Sequence, residues 1–157
     1  MAEDSTDHAH VLVPPPVVWL LIVGIGWGLK YWAALPFVPA DWPHRWIGVA
    51  VFAVGFLLAI WSFRQFRDFR ADVSTHRRTT FVAATGPFSF SRNPIYLGML
   101  IGLIGAAVAV NSAWILVGLV AWYPLIRWGV IAREEAYLER KFGDEYLTYK
   151  SRVRRWI

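Results

Sequence analysis

The sequence predicts an all-α protein: a polytopic membrane helical bundle of about four transmembrane helices with a cytoplasmic C-terminal helical extension. Three observations carry this. Hydrophobic residues make up 57% and aromatics 17% of the 157 residues, with ten Trp and a mean hydropathy of +0.41. A soluble domain of this size would expose too much apolar surface. The apolar residues gather into four stretches long enough to cross or nearly cross a bilayer, at about 17–35, 46–63, 94–110 and 113–132. Fourteen of the sixteen Arg and Lys lie between the second and third stretches or from Arg127 onward. The positive-inside rule then sets both termini and the middle loop in the cytoplasm.

Residues 1–13 read as a polar tail: Glu3, Asp4 and Asp7 stand where a signal peptide would carry basic residues, and no small-residue cleavage site follows. Pro14, Pro15 and Pro16 predict a stiff extended lead into the first span. Gly24, Gly26 and Gly28 fall inside that span with no preceding strand, which argues against a dinucleotide-binding loop. Gly24 with Gly28, and Gly98 with Gly102, Gly105 and Ala109, instead fit small-residue faces for close helix approach. Trp19, Trp42, Trp46, Trp61, Trp114 and Trp128 lie near span ends, where an indole anchors at the interface.

The third and fourth spans meet at Asn111 and Ser112, which predicts a tight antiparallel hairpin. Counting outward from that turn sets Arg92 opposite Ile131, and Glu134 and Glu135 opposite Ser89 and Phe88. Pro124 predicts a kink in the fourth span. Arg127 shares a helical face with Glu134, two turns earlier; its guanidinium can snorkel to the interface or bind an anionic substrate group. Good helix formers from Arg133 to Phe142 carry the helix onward to Gly143.

The chain has room for one domain, 1–157. It has no Cys, which excludes disulfides, thiolate zinc sites and a cysteine nucleophile, and nothing in it calls for a metal. The net charge of +5 is accounted for by topology and lipid headgroups, so no nucleic-acid partner is expected.

The chemistry concentrates in GPFSFSRNPIYLG, from Gly86 to Gly98, and in Arg133, Glu134 and Glu135. Both lie where an apolar helix meets the interface. Charges near hydrocarbon persist when they pair, bind something or face a wet cavity, so the cluster reads as a functional site. Plainer accounts stand beside that reading: Arg92 pairing with Glu134 or Glu135, Asn93 as a helix cap, and adjacent glutamates on a solvated face.

From about Arg64 to Ile157 the chain resembles the integral-membrane methyltransferases that include isoprenylcysteine carboxyl methyltransferase and the phospholipid N-methyltransferases. The resemblance rests on Gly86, Pro87, Phe88; Arg92, Asn93, Pro94, Tyr96, Gly98; Glu134, Glu135; and Phe142, Gly143, Tyr146, Tyr149. The carboxyl methyltransferases usually have His where this chain has Asn93. The resemblance implies a methyltransferase that uses S-adenosylmethionine, with residues 64–157 as the cofactor-binding half. Its implied cofactor contacts are Thr85, Gly86, Pro87, Arg92, Asn93, Pro94, Tyr96, Leu97, Gly98, Glu134 and Glu135. Arg92, Asn93, Glu134 and His76 are the catalytic candidates, and Arg127 and Arg77 the substrate-binding ones. The acceptor expected is lipid-like or amphipathic and reached from the bilayer, with an ethanolamine-type phospholipid as the alternative. His76 has an unperturbed pKa suited to a general base, although carboxylate acceptors need none. Two other classes fit the outline: a nicotinamide-dependent membrane reductase and a non-catalytic membrane scaffold.

Overall fold

The computed structural model describes residues 14–74 and 85–157. The polar tail, His76 and Arg77 lie outside the described residues. The rest is helical, with no strand among the described residues: α1 (Pro15–Trp32), α2 (His44–Ser74), a 3-10 turn (Gly86–Ser89), α3 (Pro94–Val110), α4 (Ala113–Pro124), a π-helical turn (Leu125–Ile131), α5 (Ala132–Phe142) and α6 (Asp144–Arg152). The helices His44–Arg67 and Ala113–Phe142 are long and apolar enough to cross a membrane, and α3 is a shorter apolar helix.

Only the first of the three prolines forms the expected extended lead: Pro14 has φ −58° and ψ 127°, while Pro15 and Pro16 open α1. A ring-fixed φ suits the first helical turn, where the N–H that Pro lacks would be unsatisfied anyway.

Helices α2 and α3 pack backbone to backbone through the expected glycine face. A Cβ placed on Gly55 would lie 2.6 Å from Gly98 O, one on Gly105 2.3 Å from Phe52 N, and one on Gly48 2.1 Å from Ala109 N. Helix α1 packs on α4 instead, and here the expectation is corrected. Gly26 is the buried contact, with Ile115 against it, whereas Gly24 and Gly28 are exposed and would meet nothing within 4 Å. At 3.6 residues per turn, positions 24 and 28 share a face and 26 lies opposite.

Leu103, Ala107, Ile115, Trp122 and Ile131 are fully buried where the helices converge, with Trp19, Ile22 and Phe52 around them. The turn joining α3 to α4 is latched to the α1–α2 connection. Asn111 sits at φ 49°, and its Oδ1 accepts from Phe37 N at 2.9 Å and Val38 N at 3.0 Å. Lys30 Nζ donates to Val110 O at 2.6 Å, giving one of the two outlying basic residues a place at a helix C-terminus.

Candidate active site

At the other end of the bundle, Gly86 takes φ +56°, a conformation natural to glycine, and starts the 3-10 turn beside Gln65. Gln65 Nε2 donates to Thr85 Oγ1 at 2.6 Å, Pro87 is buried, and Tyr149 Oη donates to Phe88 O at 2.9 Å. The turn thus hangs between α2 and α6. It delivers the chain to Ser91, Arg92 and Asn93, after which Pro94 opens α3.

Arg92 is almost buried and fully engaged. Its Nε and Nη2 reach Glu135 Oε1 at 3.3 and 3.1 Å, and its Nη1 donates to the carbonyls of Lys150 at 2.9 Å and Val153 at 3.0 Å. Glu135 takes a second guanidinium: Arg155 Nε reaches Oε1 at 3.1 Å and Nη2 reaches Oε2 at 2.5 Å. The Glu135 side chain is 7% exposed, and a carboxylate so desolvated requires such pairing. Tyr146 and Tyr149 of α6 pack beside this knot. Burial first, then the charge of Glu135, pushes the Tyr146 hydroxyl up to about 12. Burial, followed by the neighbouring Tyr146, pushes Tyr149 up as well. Both remain neutral donors at physiological pH.

Glu134 has a different environment. Its Oε1 accepts from Tyr96 Oη at 2.9 Å, which joins α3 to α5 one turn into the third helix. Among the described residues no guanidinium reaches it and its Oε2 has no hydrogen bond. This carboxylate retains acceptor capacity beside a phenol.

The structure therefore brings together Arg92, Tyr96, Glu134 and Glu135, with Asn93 and Pro94 adjoining. Asn93 occupies the N-cap position of α3 without a side-chain cap; its Nδ2 donates to Arg155 O at 3.2 Å. Gly98 is taken up by packing on α2, since a Cβ there would lie 2.5 Å from Gly55 O, and Leu97 is buried. Arg127 is half-buried on the π turn with its guanidinium 5.9 Å from the Trp128 ring centroid, outside the hydrogen bonds of the cluster.

Across the hairpin the side chains reach past the level of their own backbones: Arg92 meets Glu135 and Tyr96 meets Glu134. Pro124 has no N–H to continue the ladder, and the following residues adopt i→i+5 bonding, which fits more residues into each turn. The residue that sequence reasoning missed is Arg155. A dibasic pair near the chain end reads as topology, and only the fold shows that its second member meets Glu135.

Comparison with known proteins decides the family. The family model "Phospholipid methyltransferase" matches residues 43–145, from the start of α2 to the start of α6. The chain belongs to the phospholipid methyltransferase family. The match spans the 3-10 turn, the Arg92–Tyr96 segment and both glutamates, so the family assignment and the charge cluster coincide. An uncharacterized protein of Haemophilus influenzae is 41% identical over 63 residues, 40% of this chain and all of that one. The nickel-cobalt-cadmium resistance protein NccN of Alcaligenes xylosoxydans xylosoxydans is 28% identical over 105 residues, 67% of this chain and 49% of its own length. The chain thus spans about half of that relative. No solved structure matches. Among the described residues, no group of three or more His, Asp or Glu could hold a metal ion.

Proposed function

We propose that the protein is an S-adenosylmethionine-dependent methyltransferase acting on a lipid-like or amphipathic acceptor at the cytoplasmic face of a membrane it crosses four times. The observation that carries the reading is the Tyr96–Glu134 pair, set beside the Arg92–Glu135–Arg155 knot where α3 begins and α5 leaves the bilayer. A family match spanning Arg92, Tyr96, Glu134 and Glu135 supports methyl transfer. The donor set fits the cofactor: Glu134 Oε2 can accept from ribose hydroxyls or an ammonium, and the amides around Gly86 can donate to a carboxylate. When bound, the cofactor would supply an electrophilic methyl group on its sulfonium to a lone pair of the acceptor, with the thioether as leaving group.

The chain's part is to orient and to dry the site. Tyr96 fixes the rotamer of Glu134. The Arg92–Glu135 pairing keeps α3 and α5 at one spacing, which a near-attack geometry requires. Arg127 and the Trp128 ring, on the π turn just inside the hydrocarbon boundary, suit an anionic head whose tail stays in lipid. The family's description supports a phospholipid acceptor, and an ethanolamine-type headgroup is the second reading within this class.

The test is calorimetry with S-adenosylmethionine and S-adenosylhomocysteine, followed by isotopic methyl transfer into membrane lipids. Both ligands are expected to bind, and label is expected in an amphipathic product. Arg127→Ala is expected to slow transfer to a long-chain acceptor at least tenfold while leaving cofactor affinity within twofold. Equal rates on a water-soluble analogue of the same headgroup, with no effect of Arg127→Ala, would remove the case for entry from the bilayer.

A further inference from the structure

The C-terminal segment after α6 lies along the loop that precedes α3. Its carbonyls accept four of the hydrogen bonds that loop donates. Arg154 O takes Arg92 N at 3.0 Å, Arg155 O takes Asn93 Nδ2 at 3.2 Å and Ser91 Oγ at 3.4 Å, and Val153 O takes Arg92 Nη1 at 3.0 Å. Those acceptors are backbone and carry no side-chain identity. The segment's own side-chain anchors are Val153, buried against Tyr149, Trp156, whose ring stacks on Tyr123 at 5.8 Å between centroids, and Arg155 on Glu135. Of these, Arg155 alone reaches the charge cluster. It grips both oxygens of Glu135, whereas Arg92 reaches only one.

We propose that Arg155 is a positioning residue of the methyl-transfer site, and that residues 153–156 form a strap which sets the loop carrying Arg92 and the start of α3 at the spacing that the Tyr96–Glu134 pair needs. This rests on the methyltransferase reading above and extends it beyond the family match, which ends at residue 145. Glu135 is the lever. It is bonded in sequence to Glu134, and Arg92 stands one turn before Tyr96. With Arg155 in place, Glu135 is held from two sides and Arg92 is kept against it. Without Arg155, one carboxylate oxygen loses its partner, the strap loses its charged anchor, and the loop's donors lose the carbonyls that the strap presents. Arg155 touches neither cofactor nor acceptor in this role. Its effect passes through Glu135.

The experiment uses the full chain, which has no native Cys. Val153→Cys places a thiol at a buried position on the strap, and Ser151→Cys gives an exposed control. Maleimide labelling rates and S-adenosylhomocysteine affinity are measured with Arg155 intact, with Arg155→Ala and with Arg155→Lys. The expected result is at least tenfold faster labelling of Val153→Cys in Arg155→Ala, an unchanged Ser151→Cys rate, and an affinity for S-adenosylhomocysteine about tenfold weaker. Arg155→Lys keeps the charge without the two-pronged fork and is expected to recover part of both. Labelling that Arg155→Ala does not change overturns the strap, whether or not the cofactor binds. Faster labelling with unchanged affinity overturns the positioning role and leaves a purely structural anchor. Absence of cofactor binding to the wild type, with the labelling contrast present, overturns the methyltransferase reading and the positioning role that depends on it.

Discussion

Glu135 accepts hydrogen bonds from two guanidinium groups and Glu134 from a single phenol, so the same truncation at adjacent positions has opposite consequences. Glu135→Ala leaves Arg92, with a side chain only 9% exposed, as a buried charge without its carboxylate. Breaking one side of such a pair costs about 3–5 kcal/mol, and the variant is expected to melt far below the wild type in detergent. Glu134→Ala removes a partner from a neutral hydroxyl. It is expected to leave the melting temperature within a few degrees while weakening S-adenosylmethionine binding by roughly ten- to hundredfold, the worth of about 1.5–3 kcal/mol for a charge-assisted hydrogen bond. Thermal melts and calorimetry on the two variants check both halves; equal losses of stability would show that the two carboxylates share one structural role. The sequence singled out both glutamates. It could not divide them, because the division depends on Arg155, which follows a glycine, a further helix and a bend, with no periodic pattern to say where its side chain arrives.

The helices show where local patterning suffices and where it fails. Small residues at Gly98, Gly102, Gly105 and Ala109 repeat at helical spacing, and the structure sets that face against α2. Gly24 and Gly28 have the same spacing and meet no neighbour, since one glycine pattern marks any face with room and the partner helix chooses which is used. The contrast is measurable. Gly105→Val drives a side chain into the backbone at Phe52 and is expected to destabilise the fold by about 3 kcal/mol or more, the upper end of overpacking. Gly24→Val adds a methyl-bearing side chain to open space in an apolar helix and is expected to be neutral or slightly stabilising, because it removes a glycine from a helix interior. Denaturation of each variant in the same detergent separates them, and equal behaviour would mean that the α2–α3 contact is not the tight one. Pro124 was legible as an irregularity. Its form, a π turn, was not.

At the scale of the whole molecule, charge and exposure agree. The helix His44–Arg67 has only 17% of its apolar window buried, and large exposed side chains such as Leu20, Leu57 and Val120 lie on the outer surfaces of α1, α2 and α4. Water would not tolerate that surface on a monomer, whereas lipid would. Helix α1 supplies eighteen residues, roughly 27 Å of helix at 1.5 Å per residue and close to the thickness of the hydrocarbon layer. If α1, α2, α3 and α4 all cross, the Asn111 turn and the 33–43 connection share one side. On that condition the site and the C-terminal segment would share the other. The latch of Asn111 onto Phe37 and Val38 is consistent with this, because it joins those two connections at one end of the bundle. The same latch makes Asn111 a poor position for a probe, since it is buried and its side chain is in use. Asp41 is exposed on the connection itself. In right-side-out vesicles, a membrane-impermeant maleimide is therefore expected to modify Asp41→Cys readily, and Ser151→Cys only after permeabilisation. Both positions labelling from one side would leave an even number of crossings between them, against the three that α2, α3 and α4 supply, and would move the Tyr96–Glu134 site away from the cytoplasmic pool of a soluble cofactor.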